Sequence, residues 1–568
     1  MAAIAVLAAL SAAAPVVGWH LVEDAIDSGI RADDDRRLLL DVVLYVGVNA
    51  AAWLFGTLAW RGLASMGQRI VLELRRDLFQ HLTSLSLRYF SQQKAGWIIS
   101  RLTSDVDALS DVLNQGLTTL VINSLTFVAA IGGLFLLDWR LGLVALCVVP
   151  PGFVVTRWFH RVSHVAASDV RTRIAIVTAQ LAESVAGMAV IQAFNRERAF
   201  QAEFDGLNED NRLANVRVQK VYSVFFPAIE LLGAVATASV LFAGALLIDR
   251  GTLEIGTLIS AVGLLALVFQ PLQELSELYG QVQAASAAMD KISSVLDAEI
   301  DVADKPGARP IGRIDGRLEL DGVTFAYGDR PVLHGVEISV PPGGCLALVG
   351  ETGGGKSTTA KLIARFYDPD EGAVRVDGTD LRDVELVGYR RQLGVVLQDP
   401  FLFSGTIADN IRFAKPDASD DEVQATAAAV GVDRVAARLE HGLEPVVREG
   451  GAGLSAGERQ LISIARALLA DPRILILDEA TSNIDRPTEV VIERAFDTLL
   501  SGRTSIIIAH RLATVRRADE ILVLEHGRIV QRGTERELMA QPGPFRRLAR
   551  TFVEDSLPAA SEEGAPAA

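Results

Sequence analysis

Six long apolar runs crowd the first half of this chain, at 2–22 (AAIAVLAALSAAAPVVGWHLV), 40–60 (LDVVLYVGVNAAAWLFGTLAW), 115–137, 141–159, 222–248 and 256–275. Each is long enough to cross the ~30 Å hydrocarbon core of a bilayer as a helix, which takes about 20 apolar residues. No water in that medium can satisfy backbone N–H and C=O groups, so runs of this length fold as helices that satisfy their own. Half of all residues are hydrophobic and the mean hydropathy of +0.30 is high for a soluble protein. The first run has an Ala-rich end like that of a secretory signal. It lacks a basic leading region, however, and five more spans follow, so it reads as a membrane helix.

Basic residues between the spans set the expected orientation. The loop 61–114 carries Arg61, Arg69, Arg75, Arg76, Arg88, Lys94 and Arg101, and the loop 160–221 carries eight further Arg or Lys from Arg161 to Lys220. Connectors on the other side are acidic (EDAIDSGIRADDD) or very short (DWR, DRGTLE). Both long loops, the N-terminus and everything after residue 276 are therefore expected in the cytoplasm. The loops are helical in pattern, so the membrane helices are expected to continue beyond the bilayer.

At 568 residues the chain is too long for one core. After VADKPGARPIGRIDG (302–316) its composition becomes that of a soluble α/β domain. Aliphatic runs recur (CLALVG, AVRVDG, QLGVVLQ, RILILDEA, TSIIIAH, EILVLEHG) and fit strands buried on both faces of a largely parallel sheet. The expected architecture is an all-α membrane domain of six helices over 1–300, a linker at 301–316, an α/β P-loop NTPase domain over 317–550, and a disordered tail at 551–568. Cys147 and Cys345 read as two buried thiols acting as small hydrophobes, without a disulfide. A net charge of −16 argues against a nucleic-acid partner, which would need a basic face.

The chemistry starts at GETGGGKST (350–358), which follows a strand and opens a helix. Gly350, Glu351, Thr352, Gly353, Gly355 and Thr358 belong to a loop whose backbone N–H groups converge on phosphates. Lys356 neutralises β/γ oxygens and Ser357 can ligate Mg²⁺. A second motif, RILILDE (473–479), ends an aliphatic strand in two carboxylates. It places Asp478 near the metal and leaves Glu479 to orient or deprotonate an attacking water. A further glycine-rich turn, GAGLSAGERQ (451–460), lacks a lysine.

In order, GETGGGKST, Gln398 in VVLQDP, LSAGERQ, ILILDEATSNID and IIIAHR resemble the nucleotide-binding domain of ATP-binding cassette (ABC) proteins, over about 316–550. The six spans, with YFSQQKAGWIISRLTSDVDAL (89–109) and AESVAGMAVIQAFNRE (182–197), resemble the membrane and coupling regions of the family's exporters. The whole chain resembles a half-transporter of the multidrug and lipid exporter type. The resemblance implies that LSAGE faces ATP held by a partner subunit, where Ser455 and the Gly457 backbone grip the γ-phosphate. It further implies that Tyr327 stacks on adenine, Gln398 contacts Mg²⁺ or water, Asp485 lies in a turn crossing between subunits, and His510 touches the γ-phosphate. Catalytic roles thus fall to Glu479, His510 and Gln398, and metal binding to Ser357, Gln398 and Asp478. ATP and Mg²⁺ are the implied ligands. A second half-transporter, identical or not, is the implied partner.

Several positions depart from the family pattern. Ala456 and Glu458 stand in a signature commonly LSGGQ. Glu458 is expected in the first helical turn, where the dipole favours a carboxylate. VVREGG (446–451) only partly matches the cross-talk loop, and GTE (533–535) replaces the common GTH. The lead-in interfacial helix is expected to be missing or truncated. Glu230, in FFPAIELLG beside Pro227, is the one ionisable group seen deep in a span. It either lines a path for a cationic compound or pairs with a polar neighbour such as Asn123. The function implied is ATP-driven export, or leaflet-to-leaflet translocation, of an amphipathic drug or lipid by a dimer in a bacterial-type cytoplasmic membrane. An importer of a small molecule such as a siderophore, or an ATP-gated channel, would carry the same motifs. A soluble ABC ATPase is opposed by the six spans, and a passive scaffold would not need Glu479 and His510.

Overall fold

A computed structural model describes residues 2–433, 443, 446–478, 486–509 and 511–554. The chain divides into two units, Met1–Thr83 with Lys94–Ala298, and Ser84–Gln93 with Glu299–Ala568.

The elements of the first unit, among its described residues, are helices joined by short turns. Among the described residues five helical stretches are long and apolar enough to cross a membrane: Ala2–Ile30, Asp35–Ser84, Ala95–Leu137, Trp139–Ala186 and Glu197–Asp249. The sixth expected span falls on the continuous helix Ile255–Leu296, whose apolar opening Ile255–Pro271 is shorter. Short polar residues set the turns between them. The Asp34 carboxylate accepts the backbone N–H of Arg36 and Arg37 at 3.1 and 3.2 Å, starting the helix Asp35–Ser84. Asp138 is the single extended residue between two helices, and its carboxylate accepts from Arg140 and Leu141. Such a cap satisfies donors that a helix start leaves orphaned.

As expected, the helices outrun their apolar parts: Asp35–Ser84 spans 50 residues and Glu197–Asp249 spans 53. Beyond the apolar stretches, ion pairs hold Val149–Ala186 to Glu197–Asp249. Arg173 bridges Asp169 and Asp210, and Arg217 also reaches Asp169 at 2.8 Å. Within the apolar part, close packing needs small residues. A Cβ on Gly263 would sit 2.3 Å from Trp19 Cε2, and the nearby Ser260 hydroxyl donates to the Trp19 carbonyl at 2.6 Å.

Two expectations are corrected here. Asn123 does not serve Glu230: it donates to Glu274 Oε2 at 2.6 Å, and Gln270 donates to Glu274 Oε1 at 3.0 Å. Glu230 is exposed on its helix, whereas the Asn123 helix packs on Ile255–Leu296 and presents Asn123 to that neighbour. Glu274 is thus an ionisable group at the end of the expected span 256–275. Cys147, at the C-cap of the helix Trp139–Leu146, is exposed rather than buried, and Cys345 at the start of a strand is only partly buried.

Among its described residues the second unit contains twelve strands: β1 (Leu318–Tyr327), β2 (Arg330–Val340), β3 (Cys345–Val349), β4 (Glu371–Val376), β5 (Thr379–Asp380), β6 (Leu393–Val396), β7 (Gly405–Thr406), β8 (Val446–Val447), β9 (Ile474–Asp478), β10 (Thr504–Ile508), β11 (Glu520–Glu525) and β12 (Arg528–Gly533). The central sheet runs β12-β11-β3-β10-β9-β6. Its pairs are parallel except for the antiparallel edge strand β12. Alternation distributes each strand between two cores. Ala347, Val349, Leu475 and Leu477 enter one, while Leu346, Leu348, Ile474 and Ile476 enter the other. That is why the strands read as unbroken aliphatic runs. The run AVRVDG is the exception. It forms β4 in a separate antiparallel sheet, β2-β1-β4-β5. Arg375, between buried Val374 and Val376, marks the wet face of that sheet.

Residues 301–316 are pinned to this unit by Arg309 N–H donating to the Asp383 carbonyl and by Ile314 N–H donating to Gln392 Oε1 at 2.9 Å. The helix Pro544–Glu554 closes the described chain. Ser84–Gln93 also belongs here. Its helix Leu87–Gln92 begins at Ser86, which directs its hydroxyl to Asp301 Oδ2 at 2.9 Å instead of capping the helix.

Candidate functional site

Strand register assembles the site. Val396 of β6 lies beside Leu477 of β9, Asp478 of β9 beside Ile508 of β10, and Ile508 beside Leu348 of β3. The C-terminal ends of four parallel strands therefore share one edge, where ligands of open α/β sheets bind. From that edge issue the loop 350–358, Gln398, Asp478 and the turn toward residue 510.

The loop 350–358 is built on glycines. Gly353 and Gly355 take φ of +85° and +103°, and a Cβ on Gly350 would come within 2.1 Å of the Leu524 carbonyl oxygen. Only glycine fits such backbone. Gly355 hands the chain to the helix Lys356–Ile363, so free N–H groups and the positive helix end point the same way. Lys356 is buried, and its Nζ donates to the Gly350 and Glu351 carbonyls at 2.7 and 2.9 Å. Burial pulls its pKa below the usual lysine value, while the Asp478 carboxylate opposes that shift. Ser357 is exposed; Thr358 is buried. Glu351 and Thr352 are exposed beside the glycines.

Tyr327 ends β1 half-buried. Its hydroxyl lies 3.4 Å from Thr358 Oγ1, and its ring meets those of Phe325 and Tyr367 edge-on at 4.9 and 5.3 Å. The adenine-stacking candidate is thus tied to the helix that follows the phosphate loop. Gln398 is exposed in the turn after β6. The oxygens of Ser357, Gln398 and Asp478 are hard donors suited to Mg²⁺, and a single carboxylate leaves coordination for phosphates and water. The glycine cradle and this donor set fit a nucleoside triphosphate with its cation.

Ser455 and Gly457 sit elsewhere. Ser455 is the N-cap of the helix Ala456–Leu469, with φ −66° and ψ 161°. Its hydroxyl accepts Glu458 N–H at 3.3 Å, and Glu458 Oε2 accepts Ser455 N–H at 2.8 Å. This reciprocal capping box puts Glu458 in the first helical turn, as expected from the helix dipole. Ala456 is an ordinary first helical residue and is not left-handed. Among the described residues no hydrogen bond joins Ser455 or Gly457 to the loop 350–358. Glu479, Asp485 and His510 lie outside the described residues.

Arg466 and Asn410 are functional-site supports that the sequence reading missed. From the helix carrying Gly457, Arg466 donates to the carbonyls of Asn410 and Phe401 and to Asn410 Oδ1. Asn410 in turn holds both polar groups of Phe403. The segment after Gln398 is therefore braced by the signature helix. The one sequence signal is an arginine on the apolar side of IARALL.

Two family models match this chain: the ABC transporter transmembrane region over residues 1–272, and the ABC transporter model over residues 333–482. An uncharacterized ABC transporter ATP-binding protein of Bacillus subtilis, YknV, is 38% identical over 92% of this chain and 87% of its own length. The chain belongs to the ABC transporter family. This ABC transporter is also 34% identical to an ATP-dependent lipid A-core flippase of Syntrophus aciditrophicus, covering 87% of this chain and 82% of the flippase. A multidrug efflux ATP-binding/permease protein of Mycobacterium bovis is 37% identical over 95% of this chain, which spans 45% of that longer protein. The structure of a bacterial Atm1-family ABC exporter with ATP bound matches with a TM-score of 0.82 at 28% identity, covering 98% of both chains. The ABC transporter described here is an integral membrane half-transporter of exporter type whose cassette is a transport ATPase.

Proposed function

We propose that two such chains, identical or paired with a related half, export an amphipathic small molecule, drug or lipid across a bacterial-type cytoplasmic membrane. The carrying observation is that one chain holds both a lysine-bearing phosphate loop at Lys356 and a capped, lysine-free turn at Ser455, with no hydrogen bond between them among the described residues. Each chain then contributes half of two sites. ATP is bound by Tyr327, Gly350, Glu351, Thr352, Gly353, Gly355, Lys356, Ser357 and Thr358 of one chain and by Ser455, Gly457 and Asp485 of the other. Ser357, Gln398 and Asp478 hold Mg²⁺, which neutralises phosphate charge. Glu479 positions or deprotonates the attacking water, while Gln398 and His510 sense the γ-phosphate end. The bound triphosphates clasp the cassettes together, and hydrolysis releases them. Because nucleotide then binds the two states unequally, its turnover drives alternating access.

Relatives described as a multidrug efflux protein, a lipid A-core flippase and a fatty acid transporter support an amphipathic cargo. The test is purification in nanodiscs, determination of chain stoichiometry, and ATP-driven transport of a lipid and drug panel in vesicles. Full ATPase activity from a single copy shown to have no mate would sink the composite site.

A further inference from the structure

Three adjoining cavities in the helical unit share residues and one chemical character. A cavity of about 610 Å³ is lined by Phe153, Arg157, His160, Arg161, Tyr279 and Gln283, among others. A neighbouring one of about 120 Å³ keeps His160, Tyr279 and Gln283 and adds Phe159, Arg171 and Tyr222. A third continues from His164 and Arg171 along the helix Val149–Ala186. Among the described residues no carboxylate lines any of the three. Nearby acids are engaged elsewhere: Asp169 with Arg173 and Arg217, and Glu274 with Asn123 and Gln270. Arg157, Arg161 and Arg171 have no ion-pair partner among the described residues.

Arg157, Arg161 and Arg171 are exposed, and in a chain of net charge −16 three arginines around cavities without a carboxylate focus a local positive potential that attracts an anion. Arg157 and Arg161 are one helical turn apart and present guanidinium forks, whose geometry matches carboxylate and phosphate. Aromatic rings flank them, with His160 against Tyr279 at 4.5 Å and Phe159 against Tyr222 at 5.2 Å. Phe153 and Thr156 fall inside the expected span 141–159 and Arg157 in its last three residues, whereas Arg161, His164 and Arg171 lie beyond it. The apolar part of the cavity is thus at acyl-chain level and the basic part at headgroup level. Its volume is typical of a small-molecule site, about 300–1,000 Å³.

We infer that this pocket binds the anionic headgroup, carboxylate or phosphate, of an amphiphile at the cytoplasmic edge of the membrane. That the bound amphiphile is cargo rests on the export reading above. The pocket points away from the cationic compound that Glu230 suggested.

The test uses the full-length protein in phosphatidylcholine nanodiscs, titrated with radiolabelled lysophosphatidate and lysophosphatidylcholine. Wild type is expected to bind lysophosphatidate at least tenfold more tightly, and the Arg157→Gln, Arg161→Gln pair to lose that preference. The Arg157→Lys, Arg161→Lys pair keeps charge without the fork and is expected to retain part of it. Elution profile and thermal melting of each variant separate lost binding from lost folding. A folded wild type without headgroup preference overturns the inference. Competition by phosphatidylglycerol at equal affinity supports the anion site but assigns it to bilayer lipid, overturning the cargo role. ATP-dependent movement of lysophosphatidate in vesicles supports that role. Binding with no ATP-driven movement of any amphiphile overturns the export reading and leaves the pocket standing.

Discussion

The guanidinium of Arg88 lies over the ring of Tyr367, 6.0 Å from its centroid, and the Tyr367 ring meets that of Tyr327 edge-on at 5.3 Å. Arg88 also reaches Asp301 at 3.5 Å. The short helix between two membrane helices is thereby connected, through one buried tyrosine, to the residue proposed to stack on adenine. Arg88→Ala removes a contact of about 0.5–1 kcal/mol. Hydrogen exchange at residues 84–93 is expected to quicken, and stimulation of ATPase by transported compounds to fall at least twofold. Unchanged exchange would show that Arg88 does not hold this segment.

Glu458→Gln keeps the capping box, because glutamine serves the same position. ATPase activity is expected to stay within tenfold of wild type. Glu458→Ala, which leaves Ser455 N–H unsatisfied, is expected to destabilise the helix start by about 1 kcal/mol. A larger change in Glu458→Gln would mean that the charge itself acts on phosphate.

Lys356 makes ATP affinity sensitive to alkali. Burial lowers its pKa below the usual lysine value, so in the folded chain it loses its proton at a lower pH than in the unfolded chain. The folded state binds fewer protons in that window, and the fold itself is favoured as pH rises through it. ATP needs the charged form, so its affinity is expected to fall in the same window, below the usual lysine value. Isothermal titration should show this decline in wild type and a weak, flat profile in Lys356→Ala.

Glu479→Gln is expected to retain ATP binding, to cut hydrolysis at least a hundredfold, and to trap a closed dimer visible by size exclusion with ATP. Turnover equal to wild type would remove Glu479 from its catalytic role.

Gly263→Leu forces a side chain into Trp19 and is expected to cost about 1–3 kcal/mol, read as a lower melting temperature in detergent. Gly132→Leu is the control, because a Cβ there meets nothing within 4 Å. Equal melting of the two variants would show that the Trp19 contact is not tight.

Local chemistry was the readable part of this sequence. Aliphatic periodicity located β3, β9, β10 and β11, because strands buried on both faces carry their signal in every residue. The phosphate loop was equally visible, since Gly350, Gly353 and Gly355 meet backbone demands that no other residue satisfies. What escaped notice depends on partners distant in the chain. Nothing near Arg466 announces Asn410 and Phe401, and nothing near Asn123 announces Glu274. AVRVDG was placed in the wrong sheet because a short run of alternating residues resembles an unbroken one until its partner strand is known. The first-turn position of Glu458, in contrast, follows from the helix dipole and adjoining residues alone, although the reciprocal bonds with Ser455 emerge only in the structure.

The segment Ser84–Gln93 sorts with the cassette although both of its chain neighbours sort with the helices. The polypeptide therefore passes between the two units at three places, 83/84, 93/94 and 298/299. A protease cutting only at the last would not free the ATPase portion as a loose fragment. Ser86 and Arg88, on the other side of the nick, would still clip it in place through Asp301 and Tyr367.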